Sequence, residues 1–181
     1  MSDYQSTARS LEYLSFTTAA ISRGNGYSAG ELFTGVANGN TKTVYIDNQG
    51  NDTDVVVLTP NVSSNGQVYS NAISNPTEDT QGDPATVQTV STGGNSFDAS
   101  VRTAGDNETG IISGGNPYPE VTIGGGGGSS GVAVGVGTNP AQIAAIIEPD
   151  DLWAVEVTNE SGNASDISIN LSLAEVEASE L

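Results

Sequence analysis

The sequence predicts an all-β protein, on three observations. Apolar residues come as short runs bounded by Gly, Asn, Asp and Pro; glycine is abundant, with 23 among 181 residues; and no long stretch carries a sustained helical period. Short alternating runs with frequent turn residues are the pattern of a turn-rich antiparallel β-fold. The length suits one domain large enough to build a real core.

The elements follow in order. Residues 10–22 (SLEYLSFTTAAIS) are ambiguous: Leu11, Leu14, Thr18 and Ile21 fit a helical face, while Leu14, Phe16 and Thr18 fit a strand. A strand over 11–19 is expected, because β-branched and aromatic residues dominate its centre. Residues 30–37 and 41–47 read as short strands around Asn38-Gly39-Asn40, whose residues tolerate positive φ. The passage from Val44 to Pro60 reads as a β-hairpin closed at Asn48-Gln49-Gly50-Asn51. Val55-Val56-Val57-Leu58 is apolar on both faces, so its strand is expected between two layers. Strands are expected at 66–73, 85–91 and 95–103, with a polar loop over 74–84. A loop follows around 104–119, then Val121 and Ile123, five glycines at 124–128, and the alternating run 131–137. The C-terminal part is the most regular. Trp153, Val155 and Val157 share one face of Leu152–Thr158, and Ile167, Ile169, Leu171 and Leu173 alternate with polar residues. These two runs, joined by a polar turn, read as an adjacent antiparallel pair. A total of about eight to ten strands at this length favours a single jelly-roll β-sandwich. The expected layout is an N-terminal arm or first strand at 1–27, the jelly-roll domain at 28–175 and a solvated acidic tail at 176–181, with Glu175 at the tail's start.

Composition narrows function. The chain holds 22 Asp and Glu against 4 Lys and Arg, a formal net charge of −18, with no His or Cys. Such self-repulsion is screened over about 10 Å at 0.1 M salt but over about 3 Å at 1 M, so the chain reads as one adapted to a hypersaline medium. The charge is uneven: residues 1–50 carry four acids and three bases, whereas 51–181 carry eighteen acids and only Arg102. Either the first segment is more buried or it meets a partner surface. Four bases cannot neutralise a phosphate track, which argues against direct nucleic-acid binding. Without His or Cys there is no Ser-His-Asp or Cys-His nucleophile and no zinc site of the usual ligands. No apolar stretch is long enough to cross a bilayer. The N-terminus lacks a basic region followed by an apolar run, so synthesis and folding in the cytoplasm are expected.

The candidate sites are few. The glycine run at 124–128 lacks the Lys-Ser/Thr ending and following helix of a phosphate-binding loop, and reads as a flexible loop. Glu148, Asp150, Asp151 and Glu156 lie near Trp153 in sequence. Paired carboxylates beside an aromatic suit glycoside hydrolysis, but in so acidic a chain they arise without selection for chemistry. No catalytic residue and no cofactor is assigned. The metal-site candidates are the turn residues Asp150 and Asp151, and Asp52 and Asp54 at the hairpin tip beside Asp47. Trp153 reads as a core or interface anchor. Six Asn-x-Ser/Thr sequons, including Asn159, exceed chance only slightly and are not expected to carry glycans.

The layout of residues 28–175 resembles the small major capsid proteins of haloarchaeal icosahedral viruses with an internal membrane. The resemblance lies in TKTVYIDNQGNDTDVVVLTP (41–60), NSFDASVRT (95–103) and EPDDLWAVEVTNESGNASDISINLSLAE (148–175). It implies a single upright jelly roll that packs with a second, larger jelly-roll capsid protein into pseudo-hexameric capsomers over a lipid bilayer. The implied partners are copies of itself, that second protein and a nearby virion membrane, with Na, K, Mg or Ca ions on the acidic surface. The implied location is the virion, made in the host cytoplasm, and the implied role is structural rather than enzymatic. Two alternatives stay open: a decoration, tail-tube or fibre protein of a tailed haloarchaeal virus, and a surface module binding carbohydrate or cations.

Overall fold

Alternation of apolar and polar residues puts one side of each long strand toward the interior, and two sheets close over the apolar sides. The structure, a computed structural model, describes residues 18–103, 112–117, 132–135 and 144–177. Among these residues the strands are β1 (Gly26–Val36), β2 (Thr41–Asp47), β3 (Thr53–Ser64), β4 (Val68–Ser74), β5 (Thr77–Glu78), β6 (Asp83–Pro84) and β7 (Thr86–Thr89). There follow β8 (Ser100–Thr103), β9 (Ile112–Ser113), β10 (Asn116–Pro117), β11 (Val132–Gly135), β12 (Ala145–Ile147), β13 (Leu152–Asn159) and β14 (Ser165–Glu177). All pairings are antiparallel. The protein is an all-β structure of antiparallel sheets.

Sheet A runs β11-β3-β14-β1-β7, with β12 also on β3, and sheet B runs β10-β4-β13-β2-β8-β6. The long strands therefore change sheet at each step: β1 and β3 lie in A with β14 between them, and β2 and β4 lie in B with β13 between them. This overturns two sequence expectations. The 44–60 passage is no hairpin, because β2 pairs with β13 and β8 while β3 pairs with β14, β11 and β12. Nor are β13 and β14 neighbours: β13 lies between β2 and β4, and β14 between β1 and β3. Alternation specifies which side of a strand is buried, and an arch between two facing sheets satisfies it as well as a hairpin within one.

The main core lies between the sheets. Tyr27, Phe33, Val55, Val57, Ile167, Ile169, Leu171 and Leu173 come from sheet A, and Val44, Ile46, Trp153, Val155 and Val157 from sheet B. Trp153 is thus a core residue. Burying each such side chain contributes about 1.5–3 kcal/mol. Two small clusters sit on the outer faces. On sheet B, Tyr45, Ile73, Leu152 and Ala154 pack with Ile112 of the β5–β9 ribbon. On sheet A, Val56 and Val176 pack with Ala20, and Leu58 lies against them. The two-faced apolar character of 55–58 is explained by these contacts: Val55 and Val57 face the core and Val56 the outer cluster.

Ala20 belongs to a helical turn, 18–22, which takes in Thr18 and Ala19 of the strand expected over 11–19; 11–17 lie outside the described residues. Arg23 N–H donates to Ala19 O and Ser22 Oγ donates to the same carbonyl, closing the turn. Ala20 packs on Val56 and Val176, which holds this turn against sheet A. The expected strand at 95–103 shortens to Ser100–Thr103, with 95–99 irregular. The expected loop at 74–84 contains the two-residue strands β5 and β6. The glycine run and Val121–Ile123 lie outside the described residues, and 131–137 contains β11. The charge-poor N-terminal segment is mixed where described: β1 and β2 lie within their sheets and Lys42 is only 4% exposed, its Nζ 5.6 Å from the Phe33 ring centroid, while Ser28, Leu32 and residues 37–41 are exposed.

Candidate functional site

The sequence candidates gather at one end of the sandwich, where the β2–β3 arch meets the turn before β13. Asn48, fully buried, knits the two together. Its Nδ2 donates to Thr53 O at 2.8 Å and Ile147 O at 3.2 Å, and its backbone N–H donates to Asp151 O at 3.1 Å. Asp150 sits at φ 69°, a left-handed conformation that Asp tolerates better than most residues, and its Oδ1 accepts from Gly50 N–H at 3.2 Å. Asp47 Oδ1 accepts from Gln49 N–H at 3.0 Å. Asp47 therefore closes its own turn, and Asp150 ties the turn before β13 to the β2–β3 arch. Asp52 is exposed at the tip, Asp151 is half-buried, and Asp54 is buried on the outer face of β3 opposite Val176. The structure brings Asp47, Asp52, Asp150 and Asp151 to one end. Among the described residues, however, no three carboxylates converge as a group able to hold a metal ion.

Glu156 stands apart from that end. It lies on the outer face of sheet B between Thr43 and Asn71, on the opposite side of β13 from Trp153. Burial pushes its carboxyl above the ordinary carboxylate value. The Glu156–Trp153 juxtaposition suggested by sequence proximity is absent, because adjacent residues of a strand face opposite ways.

Two further networks use charged or hydroxyl groups that the sequence did not single out. Glu175, expected in a solvated tail, is only 4% exposed. The register shift between Ser172 and Leu173 leaves Leu173 in the core, and β14 runs on through Glu177, so Glu175 follows Leu173 inward. Its Oε1 accepts from Asp98 N–H at 2.8 Å and from Ala99 N–H at 3.2 Å. Burial raises its carboxyl above the usual range, and those two amides partly offset the rise. Tyr27 donates its hydroxyl to Ser96 O at 3.1 Å, and its ring packs on Phe97 at 4.8 Å between centroids. Burial, then the Glu175 carboxylate, push that hydroxyl above its ordinary value. Together these contacts strap residues 95–99 across the side of the sandwich. The period-two pattern from Leu171 through Leu173 to Glu175 is the signal that could have placed Glu175 inside.

On the outer face of sheet B, the Tyr45 hydroxyl donates to Glu78 Oε1 and accepts from Gly82 N–H at 2.8 Å. Arg102 Nη1 donates to Gly82 O at 3.1 Å. This pins the 76–84 segment. At the far end, Asn159, fully buried, donates to Val36 O and Asn163 O at 2.7 Å each, tying the β1–β2 and β13–β14 arches. A glycan at Asn159 is excluded by that burial.

A cavity of about 370 Å³ opens between β7 and β8, lined by Tyr27, Val87, Phe97, Val101 and Arg102 among others. A second, of about 300 Å³, is lined by Tyr27, Thr53, Asp98, Glu175 and Glu177. No helix among the described residues is long and apolar enough to cross a membrane. A scan against protein-family models finds no match to this chain, and neither does a search of curated proteins.

Proposed function

We propose that this chain is a structural capsid protein of a halophilic virus, a single jelly roll that assembles with a second jelly-roll capsid protein into pseudo-hexameric capsomers. The observation that carries the reading is the interleaved strand order, β1-β14-β3 in one sheet and β2-β13-β4 in the other. This is the connectivity expected when two Greek keys wrap into a jelly roll, an architecture used in capsids. The way polar groups are used supports it. Asn48, Asp47 and Asp150 at one end, Asn159 at the other, and Glu175, Tyr27, Tyr45 and Arg102 along the sides each pin a loop. A shell subunit needs such a rigid frame and no reacting group. The net charge of −18 supports a molar-salt setting, where short screening lengths let acidic subunits meet.

The test is gradient separation of a source-culture lysate in molar salt, following this chain by mass spectrometry. Abundant co-migration with particles containing DNA and lipid, beside a second abundant β protein, is expected. Recovery only as a free soluble species would refute the proposal.

A further inference from the structure

The two outer faces of the sandwich differ in charge. On sheet B the outward rows include Asp47, Glu156 and Arg102. On sheet A the outward residues of the central rows are uncharged. Ser28 lies opposite Ser172 and next to Gln88, and Asn170 lies opposite Gly30 on one side and Asn61 on the other. Ser28, Asn61, Gln88, Asn170 and Ser172 are all exposed, and so is Leu32, at 59%, in the row of Ser168. Among the described residues of this face, acids occur only toward its ends, at Asp166 and Asp54.

Gly30 has no side chain where a Cβ would stand 2.6 Å from Asn170 Oδ1, so the Asn170 amide lies over it, and Asn170 Nδ2 donates to Ser168 Oγ at 2.8 Å. From strand spacing and rise, the uncharged area is about 15–20 Å across and about 25 Å long. Covering it on both partners would bury about 750–1,000 Å², the size of a weak or transient contact rather than a permanent one.

Resting on the assembly reading above, we propose that the outer face of sheet A docks a second copy of this chain, the same face meeting on both molecules. The electrostatics select this occupant. Two molecules of net charge −18 meet at least cost where neither presents a charge, because an unpaired carboxylate trapped in a contact strongly opposes association. Hydroxyls and amides instead exchange water for partners across the contact at little net cost. Leu32 supplies the apolar anchor.

The experiment is sedimentation velocity of the full chain in molar NaCl, with circular dichroism confirming a shared β spectrum. The wild type is expected to self-associate. Ser172→Glu is expected to weaken association about tenfold or more, because it buries a charge on each partner. Thr41→Glu, which adds the same charge at an exposed position on sheet B, is expected to associate as wild type. Undiminished association of Ser172→Glu, or equal loss in Thr41→Glu, overturns the face while leaving the assembly reading intact. A wild type that stays monomeric in molar salt also overturns self-docking, and the lysate gradient then decides the assembly reading independently.

Discussion

Glu175 joins β14 to the 95–99 strap through two backbone amides while buried beside Tyr27, with Asp98 and Glu177 lining the same cavity. Its carboxyl is raised in the fold, chiefly by burial. A raised value means that the proton's contribution to stability is complete below the unfolded carboxyl value and disappears as pH rises through the folded one. At neutral pH the charge is therefore a cost, while the acceptor oxygen is an asset. Glu175→Gln keeps that oxygen and drops the charge. It should melt at or above the wild-type temperature at pH 7, with the advantage gone near pH 4. Glu175→Ala loses the acceptor and should cost about 1–3 kcal/mol. Equal damage from both would show that the carboxylate itself is needed. Lys42 offers a second check, being the chain's one lysine and only 4% exposed. An amine-reactive reagent at neutral pH should leave Lys42 unmodified in the folded protein and label it when denaturant unfolds the chain. Ready labelling under native conditions would contradict its buried placement.

At the scale of elements, period-two patterns show plainly which residues face inward. Ile167, Ile169, Leu171 and Leu173 enter the core as their alternation demands, as do Trp153, Val155 and Val157, and Val55–Val57 lie between two apolar layers. Strand neighbours are illegible by the same logic, since β2–β3 and β13–β14 are arches whose patterns match those of hairpins. The distinction rests on long-range pairing, such as Ser28 opposite Ser172, that no local window contains. The candidate carboxylates were legible only as a cluster in sequence. Asp47 caps its own turn through a local contact with Gln49, whereas Asp150 reaches Gly50 N–H because Asn48 draws two distant loops together, which neither loop's sequence reveals. The absence of cysteine makes the strand order testable. A Ser28→Cys/Ser172→Cys variant should form a disulfide on mild oxidation, because directly opposed antiparallel residues place their Cα atoms about 4.5–5.5 Å apart, within disulfide reach. Failure to cross-link in the folded protein would contradict the placement of β14 beside β1.

For the whole molecule, the governing quantity is charge. With −18 on 181 residues, repulsion within and between copies falls as the screening length shortens. Assemblies are expected to fall apart on dilution from molar to tens-of-millimolar NaCl, as followed by light scattering, and millimolar divalent cations should delay the loss. Assemblies unchanged in millimolar monovalent salt would remove the electrostatic part of the account. The central claim, that this chain is a shell subunit, is tested most directly by electron cryo-microscopy of lipid-containing particles recovered from the gradient. Repeated density in the shell that fits the two sheets with their interleaved order, the strands standing upright on the lipid layer, is expected. A well-resolved shell with no density matching this fold would contradict it.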